Sequence, residues 1–395
     1  MDRRISVAVI GGDGIGPEVV ATAIPIIEAA AGRHGAAMVW EHLPHGASHY
    51  LDTGETLSDN VYEHLRDDVD AIFLGALGDP RVPGNEHARD ILLGLRFRLD
   101  LYINFRPCTL LHPDLCPLKG RKVGRTESRK VGPSDRLGKG EGPSVLPTVR
   151  LSDGEPEGRA IDFVIFRENT EGSYLGRGSS ANVGEPDEEH IVEGVHSAPK
   201  IERILRAAFE WAAANGKRRV TMSDKSNAIP AHRIWGRLLE KVSSEFPQID
   251  SEHRYVDALA MELVRDPERF DVIVTNNLFG DILSDLGAEL VGGLGLAASA
   301  NLHPGRAGLF EPVHGSAPGL AGTGEANPMA AILTGALMLD QLGIEPAADR
   351  VREAVAAALA EGATTPDLGG TATSEEVGSW IARHVSGNPS RAIGA

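Results

Sequence analysis

Residues 255–287 read YVDALAMELVRDPERFDVIVTNNLFGDILSDLG and set three aspartates, Asp257, Asp281 and Asp285, among apolar neighbours. Asp281 and Asp285 stand four apart in GDILSD, so on a helix they lie one turn apart on the same face. Two carboxylates so placed repel each other unless a cation sits between them, and oxygen ligands suit Mg2+ or Mn2+. A DxxxD pattern on its own is more often an exposed acidic helix face. Here the flanks, VIVTNNLFG before and LGAELVGGLGLA after, read as a buried strand, a turn and a buried helix. Carboxylates inside such a run are seldom decoration, and the stretch reads as a metal site.

Outward from this stretch the chain alternates strands and helices. Strands are expected at 5–10, 71–78 (running into a loop), 161–166, 218–224 and 270–275. Helices are expected at 17–35, 88–102, 200–216, 233–246, 327–343 and 348–362, the first opened by Pro17 and ended near Gly35. Short apolar strands separated by helices predict an α/β fold whose largely parallel sheet is covered by helices on both faces. Residues 122–159 break the pattern. They repeat KVG and GPS, have little apolar content, and read as a flexible surface insertion or as an error in the gene reading.

A chain of 395 residues has room for two domains of ordinary size. Its 56 acids against 39 bases leave a net charge of -17, which argues against nucleic acid or an anionic membrane as partner. Cys108 and Cys116 are the only cysteines, too few for a disulfide framework. The start, MDRRISVAVIGGDGIG, offers a largely apolar strand too short for a signal peptide's core. No apolar run reaches the ~18 residues of a membrane span, and a cytoplasmic protein is expected.

GDGIGPE at 12–18 invites comparison with a dinucleotide-binding loop, but its glycines are spaced G-x-G-x-G. Where the Rossmann fingerprint wants an acid, the chain reads GRHGAA, so the residues alone indicate a tight loop at the carboxyl end of a strand. The basic residues carry more. Arg96 in LLGLRFRLDLY, Arg106 in INFRP and Arg167 in VIFRENTEGSY flank apolar segments, where guanidinium groups suit bidentate capture of carboxylates. Each taken singly is more often a surface arginine. Tyr174, seven residues after Arg167, is a candidate proton donor or a half-buried aromatic. Lys225, in TMSDKSNAIP, is a candidate base or a loop lysine. His314, in LFEPVHGSAPGLAGTGEANP, opens a glycine-rich loop whose backbone could approach a nucleotide or simply turn.

Taken together, GDGIGPE, LRFRLDLYINFRP, RENTEGSY, DKSN, YVDALAM, NLFGDILSD, EPVHGSAP and ANP stand in an order that resembles one family. It is the isocitrate/isopropylmalate dehydrogenase family, metal-dependent decarboxylating dehydrogenases of 2-hydroxy diacids. The resemblance runs from Ile5 to about Gly343, interrupted by the insertion. It implies the family's own two-domain fold rather than a Rossmann fold. Domain one would hold residues 1–101 and 292–395, and domain two, 102–291, the dimer contacts.

The same resemblance implies roles for the matching residues. Arg96, Arg106 and Arg167 would hold the malate carboxylates, and Asp257, Asp281 and Asp285 would bind Mg2+ or Mn2+. Lys225 and Asp257 would reach the site from the partner subunit, making an obligate homodimer with shared sites and an interlocking arm between Gly176 and His196. Lys225 would assist removal of the hydroxyl proton, and Tyr174 would protonate the carbon left after CO2 departs. Asn227 would contact the nicotinamide side, and His314, Gly315, Ala317 and Asn327 the adenosine pocket. NAD is the expected cofactor, with weakened affinity. NAD-using relatives carry an aspartate where this chain has Gly319, and nothing basic between Gly315 and Asn327 could meet a 2′-phosphate.

Leu92 and Leu93 precede Arg96 by four and three residues and share its helix face, which suits an isopropyl substituent on the malate. The expected substrate is therefore 3-isopropylmalate. Arg89, one turn further back, could instead receive an anionic substituent, as on isocitrate, homoisocitrate, tartrate or a phosphonate-bearing malate. A catalytically silent regulatory paralogue is the reading from another class, and the intact set of Tyr174, Lys225 and three aspartates argues against it.

Overall fold

The computed structural model describes residues 3–118 and 161–387, so the insertion at 122–159 lies outside the described residues. The strands are β1 (Arg3–Ile10), β2 (Ala36–Leu43), β3 (Ala71–Leu74), β4 (Ile103–Thr109), β5 (Asp162–Glu168), β6 (Gly178–Ala181), β7 (Glu189–Val192), β8 (Arg219–Asp224), β9 (Asp250–Tyr255), β10 (Val272–Thr275), β11 (Ala298–Leu302) and β12 (Gly308–Pro312). The helices are α1 (Gly16–Gly32), α2 (Ala47–Thr53), α3 (Asp59–Asp67), α4 (Glu86–Arg98), α5 (Ala198–Ala214), α6 (Arg233–Ser243), α7 (Val256–Arg265), α8 (Asn277–Leu290), α9 (Met329–Gln341), α10 (Glu345–Ala360) and α11 (Ser374–Val385).

Ten strands form one sheet in the order β2-β1-β3-β12-β11-β4-β5-β10-β8-β9. The wing β2-β1-β3-β12 is parallel throughout, and so is the wing β5-β10-β8-β9. Between them the pairs β12–β11, β11–β4 and β4–β5 are antiparallel, so the two wings run in opposite senses. This is the expected α/β sheet with an antiparallel centre that the apolar runs do not announce. Parallel strands need helical crossovers, and these cover both faces. Met329–Asp340 of α9 is buried on every side, because α9 packs against α1 and α10 as well as β11 and β12. Among the described residues no helix is long and apolar enough to cross a membrane.

Besides the unexpected β2, β11, β12, α2, α3, α7 and α11, three local outcomes differ from the sequence expectation. The helix expected over 88–102 ends at Arg98, because Asp100 takes a left-handed conformation (φ 51°). Its N–H donates to Phe97 O, and the Leu101 N–H donates to Arg96 O, a Schellman closure made without glycine. Arg203 compensates by gripping both Asp100 carboxylate oxygens at 2.8 and 2.9 Å. That stop releases residues 103–109 to form β4. The edge strand β9 (DSEHRY) has no apolar alternation and gave no strand signal. Finally, β6 and β7 form a separate two-stranded sheet of exposed residues.

The Asp100 turn is testable. Asp100→Ala keeps the left-handed backbone and loses both bonds to Arg203, and should lower unfolding stability by about 1–2 kcal/mol after allowance for partial exposure. Asp100→Gly relieves the strain and should cost less. Urea denaturation in which the glycine variant is the weaker of the two would contradict this account.

Candidate active site

The antiparallel centre of the sheet aims the arginines. Side chains alternate along a strand, so Asn104 and Arg106 of β4 share a face. The register sets Asn104 opposite both Arg167 of β5 and Asn301 of β11. Asn301 in turn lies opposite Leu309 of β12, two residues before Glu311. One face thus carries Arg106, Arg167, Asn104, Asn301 and Glu311, all buried. Arg96 joins them from the last turn of α4, 5% exposed.

A polar relay holds the first two guanidinium groups. Arg96 donates to Glu311 Oε1 at 2.9 Å, and Asn301 Nδ2 donates to the same oxygen at 2.9 Å. Asn104 Nδ2 donates to Asn301 Oδ1 at 2.8 Å, and Arg106 Nε donates to Asn104 Oδ1 at 2.8 Å. Two donors are left over, since Arg96 Nε and Arg106 Nη1 are buried without a partner among the described residues. Burial, the largest influence on Arg106, pulls its pKa down. A guanidinium nonetheless stays charged in proteins. Buried unpaired donors are costly, and an anionic partner would satisfy them. Sequence reading found the arginines but not Glu311, Asn301 or Asn104. Their only signal was polar residues at alternate positions of otherwise apolar strands.

Arg167 turns toward the carboxylates. Its Nε donates to Asn277 Oδ1 at 2.9 Å and its Nη1 to Asp281 Oδ1. Asn276 caps α8 by accepting from the Phe279 N–H at 3.0 Å, so this helix begins squarely at the carboxyl end of β10. Asp281 and Asp285 are then one turn apart on α8, as the spacing predicted. The Tyr174 hydroxyl donates to Asp281 Oδ2 at 2.5 Å. Burial opposes the charge on Asp281, but Arg167 beside it and the Tyr174 hydrogen bond outweigh this and hold its carboxyl below the usual range. Asp285 goes the other way. Burial pushes its carboxyl up and the Asp281 charge adds to the effect, while Arg106 offsets part of it. A half-buried carboxylate destabilised by its neighbour's charge fits one side of a divalent-cation site.

Lys225 and Asp257 stand together and apart from that cluster. Lys225 Nζ lies 2.6 Å from Asp257 Oδ2, at the start of α7. Lys225 holds the Asp257 carboxyl below its usual range. Among the described residues of the chain, no three His, Cys, Asp or Glu side chains converge to hold a metal ion. Asp257 is thus not brought to Asp281 and Asp285 within this chain. Asn227 is exposed on the turn after Lys225, whose carbonyl accepts from the Ala228 and Ile229 N–H groups.

The loop at 314–327 faces the start of α1. The Ile15 N–H donates to Ser316 O at 2.8 Å, and a Cβ at Gly14 (φ 58°) would lie 1.9 Å from that oxygen, so only glycine fits. His314 Nδ1 is 3.1 Å from Gly315 O, while its Nε2 is buried and unpaired. Burial lowers the His314 pKa, leaving a neutral ring with one free nitrogen. Ala317 is left-handed (φ 37°). Asn327 donates to Asp367 Oδ2 at 3.0 Å. A side chain at Gly315 or Gly319 would meet nothing within 4 Å, so the loop presents open backbone that fits a flat nucleotide. On α4, Leu92 is half-buried and packs on the core, whereas the Arg89 side chain is 68% exposed beside Asp90.

Comparison with known proteins agrees with this geometry. The model of the isocitrate/isopropylmalate dehydrogenase family matches residues 6–127 and 145–381, the gap falling inside the insertion. A 3-isopropylmalate dehydrogenase of Thermobifida fusca (strain YX) is 40% identical, covering 97% of this chain and 98% of that protein. One from Streptomyces griseus subsp. griseus is 41% identical, covering 98% of this chain and 100% of that protein. Among solved structures, isocitrate dehydrogenase from Methylococcus capsulatus matches with a TM-score of 0.79 at 33% identity, over 97% of this chain and 99% of that one. A beta-decarboxylating dehydrogenase from Thermococcus kodakarensis gives 0.73 at 32% identity, over 97% and 96%. With its motifs, its sheet and its full-length relatives in agreement, the chain belongs to the isocitrate/isopropylmalate dehydrogenase family.

Proposed function

We propose that the protein catalyses the NAD-dependent oxidative decarboxylation of 3-isopropylmalate to 4-methyl-2-oxopentanoate, a step of leucine biosynthesis, with Mg2+ or Mn2+ in the site. The observation that carries this reading is the buried arginine set with two unpaired donors, facing Asp281, Asp285 and Tyr174. It suits a small dianion and no bulky or cationic substrate. The names of the Thermobifida and Streptomyces relatives support the choice of diacid.

Arg96, Arg106 and Arg167 bind the two carboxylates and fix the carbinol carbon against the nicotinamide. Bound metal and dinucleotide supply Lewis-acid stabilisation of developing charge and the hydride acceptor. Lys225 accepts the hydroxyl proton in its neutral amine form, having first given up its own ammonium proton to solvent. Loss of CO2 leaves a carbanion equivalent at the substituted carbon, and Tyr174 returns a proton there. Burial and the Asp281 carboxylate both raise the Tyr174 pKa, so the phenol keeps its proton until that step. Asn227, His314, Gly315, Ala317 and Asn327 line the dinucleotide side.

The working unit of the proposal is a cytoplasmic homodimer. Lys225 and Asp257 form a ready-made pair, and among the described residues of one chain no third His, Cys, Asp or Glu joins Asp281 and Asp285. Exposed Met261 (62%) and Ile282 (58%) on α7 and α8 offer the apolar contact, and the β6–β7 arm, with Ile191 and Val192 in the open, needs a partner to be stable. In this reading the two domains are 1–101 with 292–395 and 102–291, each taking one parallel wing of the sheet.

Two outcomes are expected. A chelator should abolish NADH formation from 3-isopropylmalate and Mn2+ should restore it, and Asp281→Asn should lose on the order of 10²-fold in kcat while remaining folded. Full turnover in excess chelator would remove the metal assignment. The second outcome concerns the substituent. Burying an isopropyl group against Leu92 and Leu93 is worth about 2 kcal/mol, so 3-isopropylmalate should exceed malate about 30-fold in kcat/KM. Leu92→Ala should narrow that ratio and Arg89→Ala, in solvent, should leave it unchanged. A preference for isocitrate that disappears in Arg89→Ala would assign the pocket to an anionic substituent instead.

A further inference from the structure

Asp13, in the GDGIGPE loop, is a buried junction. It is 6% exposed, held between Gly12 (φ 76°) and Gly14 (φ 58°), and its own N–H donates to Ala76 O at 2.7 Å. Its Oδ1 accepts from the Ala47 N–H at 2.6 Å, at the start of α2. Its Oδ2 accepts from the Gly78 N–H at 2.8 Å and faces His87 Nε2 at 2.8 Å. One carboxylate therefore ties together the β1–α1 loop, the first turn of α2, the loop after β3 and the first turn of α4.

His87 is the unusual member. It is fully buried at the second residue of α4 and stands at the head of the stripe His87, Ile91, Leu95, all 0% exposed, where an apolar residue would pack more simply. The Tyr50 ring stacks on it with centroids 5.9 Å apart. From His87 the same rigid helix runs to Leu92, Leu93 and Arg96, nine residues or roughly 13 Å along. On the other side of Asp13, Ile15 is bonded to Ser316 of the loop at 314–327. The commonplace reading is a core histidine held by one hydrogen bond, its Nδ1 buried without a partner among the described residues. What that reading leaves unexplained is that this hydrogen bond joins the helix of the diacid pocket to the β1–α1 loop, which is itself bonded to the loop of the dinucleotide pocket.

We propose that the Asp13–His87 hydrogen bond is a positioning device that registers α4 against the dinucleotide loop, so that filling either pocket favours filling the other. It rests on the assignment of those two pockets made above. His87 touches neither ligand and acts only through the position of Leu92, Leu93 and Arg96.

The test uses the full chain with Mn2+. The dissociation constant of 3-isopropylmalate is measured by calorimetry with and without NADH, alongside kcat, KM and Tm, for wild type, His87→Leu and His87→Gln. Wild type should bind the diacid several-fold more tightly with dinucleotide present. His87→Leu should bring that ratio to about one and raise KM for the diacid on the order of tenfold, with a smaller change in kcat. His87→Gln, whose amide nitrogen can donate to Asp13 from nearly the same place, should recover the ratio. A leucine variant that changes only Tm and keeps the ratio overturns the proposal, as does a wild type with no ratio to lose. If His87→Leu does not fold, His87→Met, a more adaptable side chain, takes its place. A wild type that binds no 2-hydroxy diacid would instead overturn the proposed function itself, a result separate from the behaviour of His87.

Discussion

Burying three guanidinium groups on one face of a sheet is the constraint to which the rest of this structure answers. Charges taken out of water must be paired or hydrogen-bonded. Glu311 pairs Arg96 and Asp281 pairs Arg167, but among the described residues the Arg106 guanidinium receives only the amide oxygen of Asn104. The antiparallel centre brings Asn104, Arg106, Arg167, Asn301 and Glu311 from four strands into one row, Arg96 reaches them from α4, and α4 must stop at Asp100 for β4 to begin. The surplus of buried donors is one that an anionic ligand would satisfy. Preorganised donors of this kind need no rearrangement when charge develops.

Much of this was legible in the sequence, and the boundary between what was and was not is physical. Asp281 and Asp285 could be paired from spacing alone, because helix geometry is local. Arg96, Arg106 and Arg167 could be singled out because charged residues beside apolar runs demand a reason, and Tyr174 because a phenol in a loop rich in Gly and Ser is a candidate acid. Glu311, Asn301 and Asn104 could not, since their contact depends on the register of strands nearly 200 residues apart, such as the Asn104–Asn301 hydrogen bond. The edge strand β9 was silent because one side of it faces water and its six residues, DSEHRY, show no alternation. The end of α4 was missed because an aspartate, not a glycine, takes the left-handed position, and the arginine that compensates it lies 103 residues on.

GDGIGPE shows how a local pattern can mislead and still matter. Its glycines are needed because Ala76 O and Ser316 O press against Gly12 and Gly14, which a Cβ would meet at 2.1 and 1.9 Å. They serve close packing of loops. The space a phosphate would take at the start of α1 belongs to Asp13, whose carboxylate binds the chain's own backbone. The same sequence feature that suggests a cofactor loop therefore builds the floor on which the two sides of the site rest.

The central claim is that one chain carries two halves of different sites: arginines, Tyr174 and Asp281–Asp285 in one place, and the Lys225–Asp257 pair in another. The most direct measurement mixes two inactive proteins, Lys225→Ala and Tyr174→Phe, under conditions that exchange subunits. If the halves meet across a dimer, each mixed dimer holds one site with both residues intact, and an equal mixture should regain about a quarter of wild-type activity. Confirmed mixed dimers that remain inactive would contradict the claim and return Lys225 to the site of its own chain.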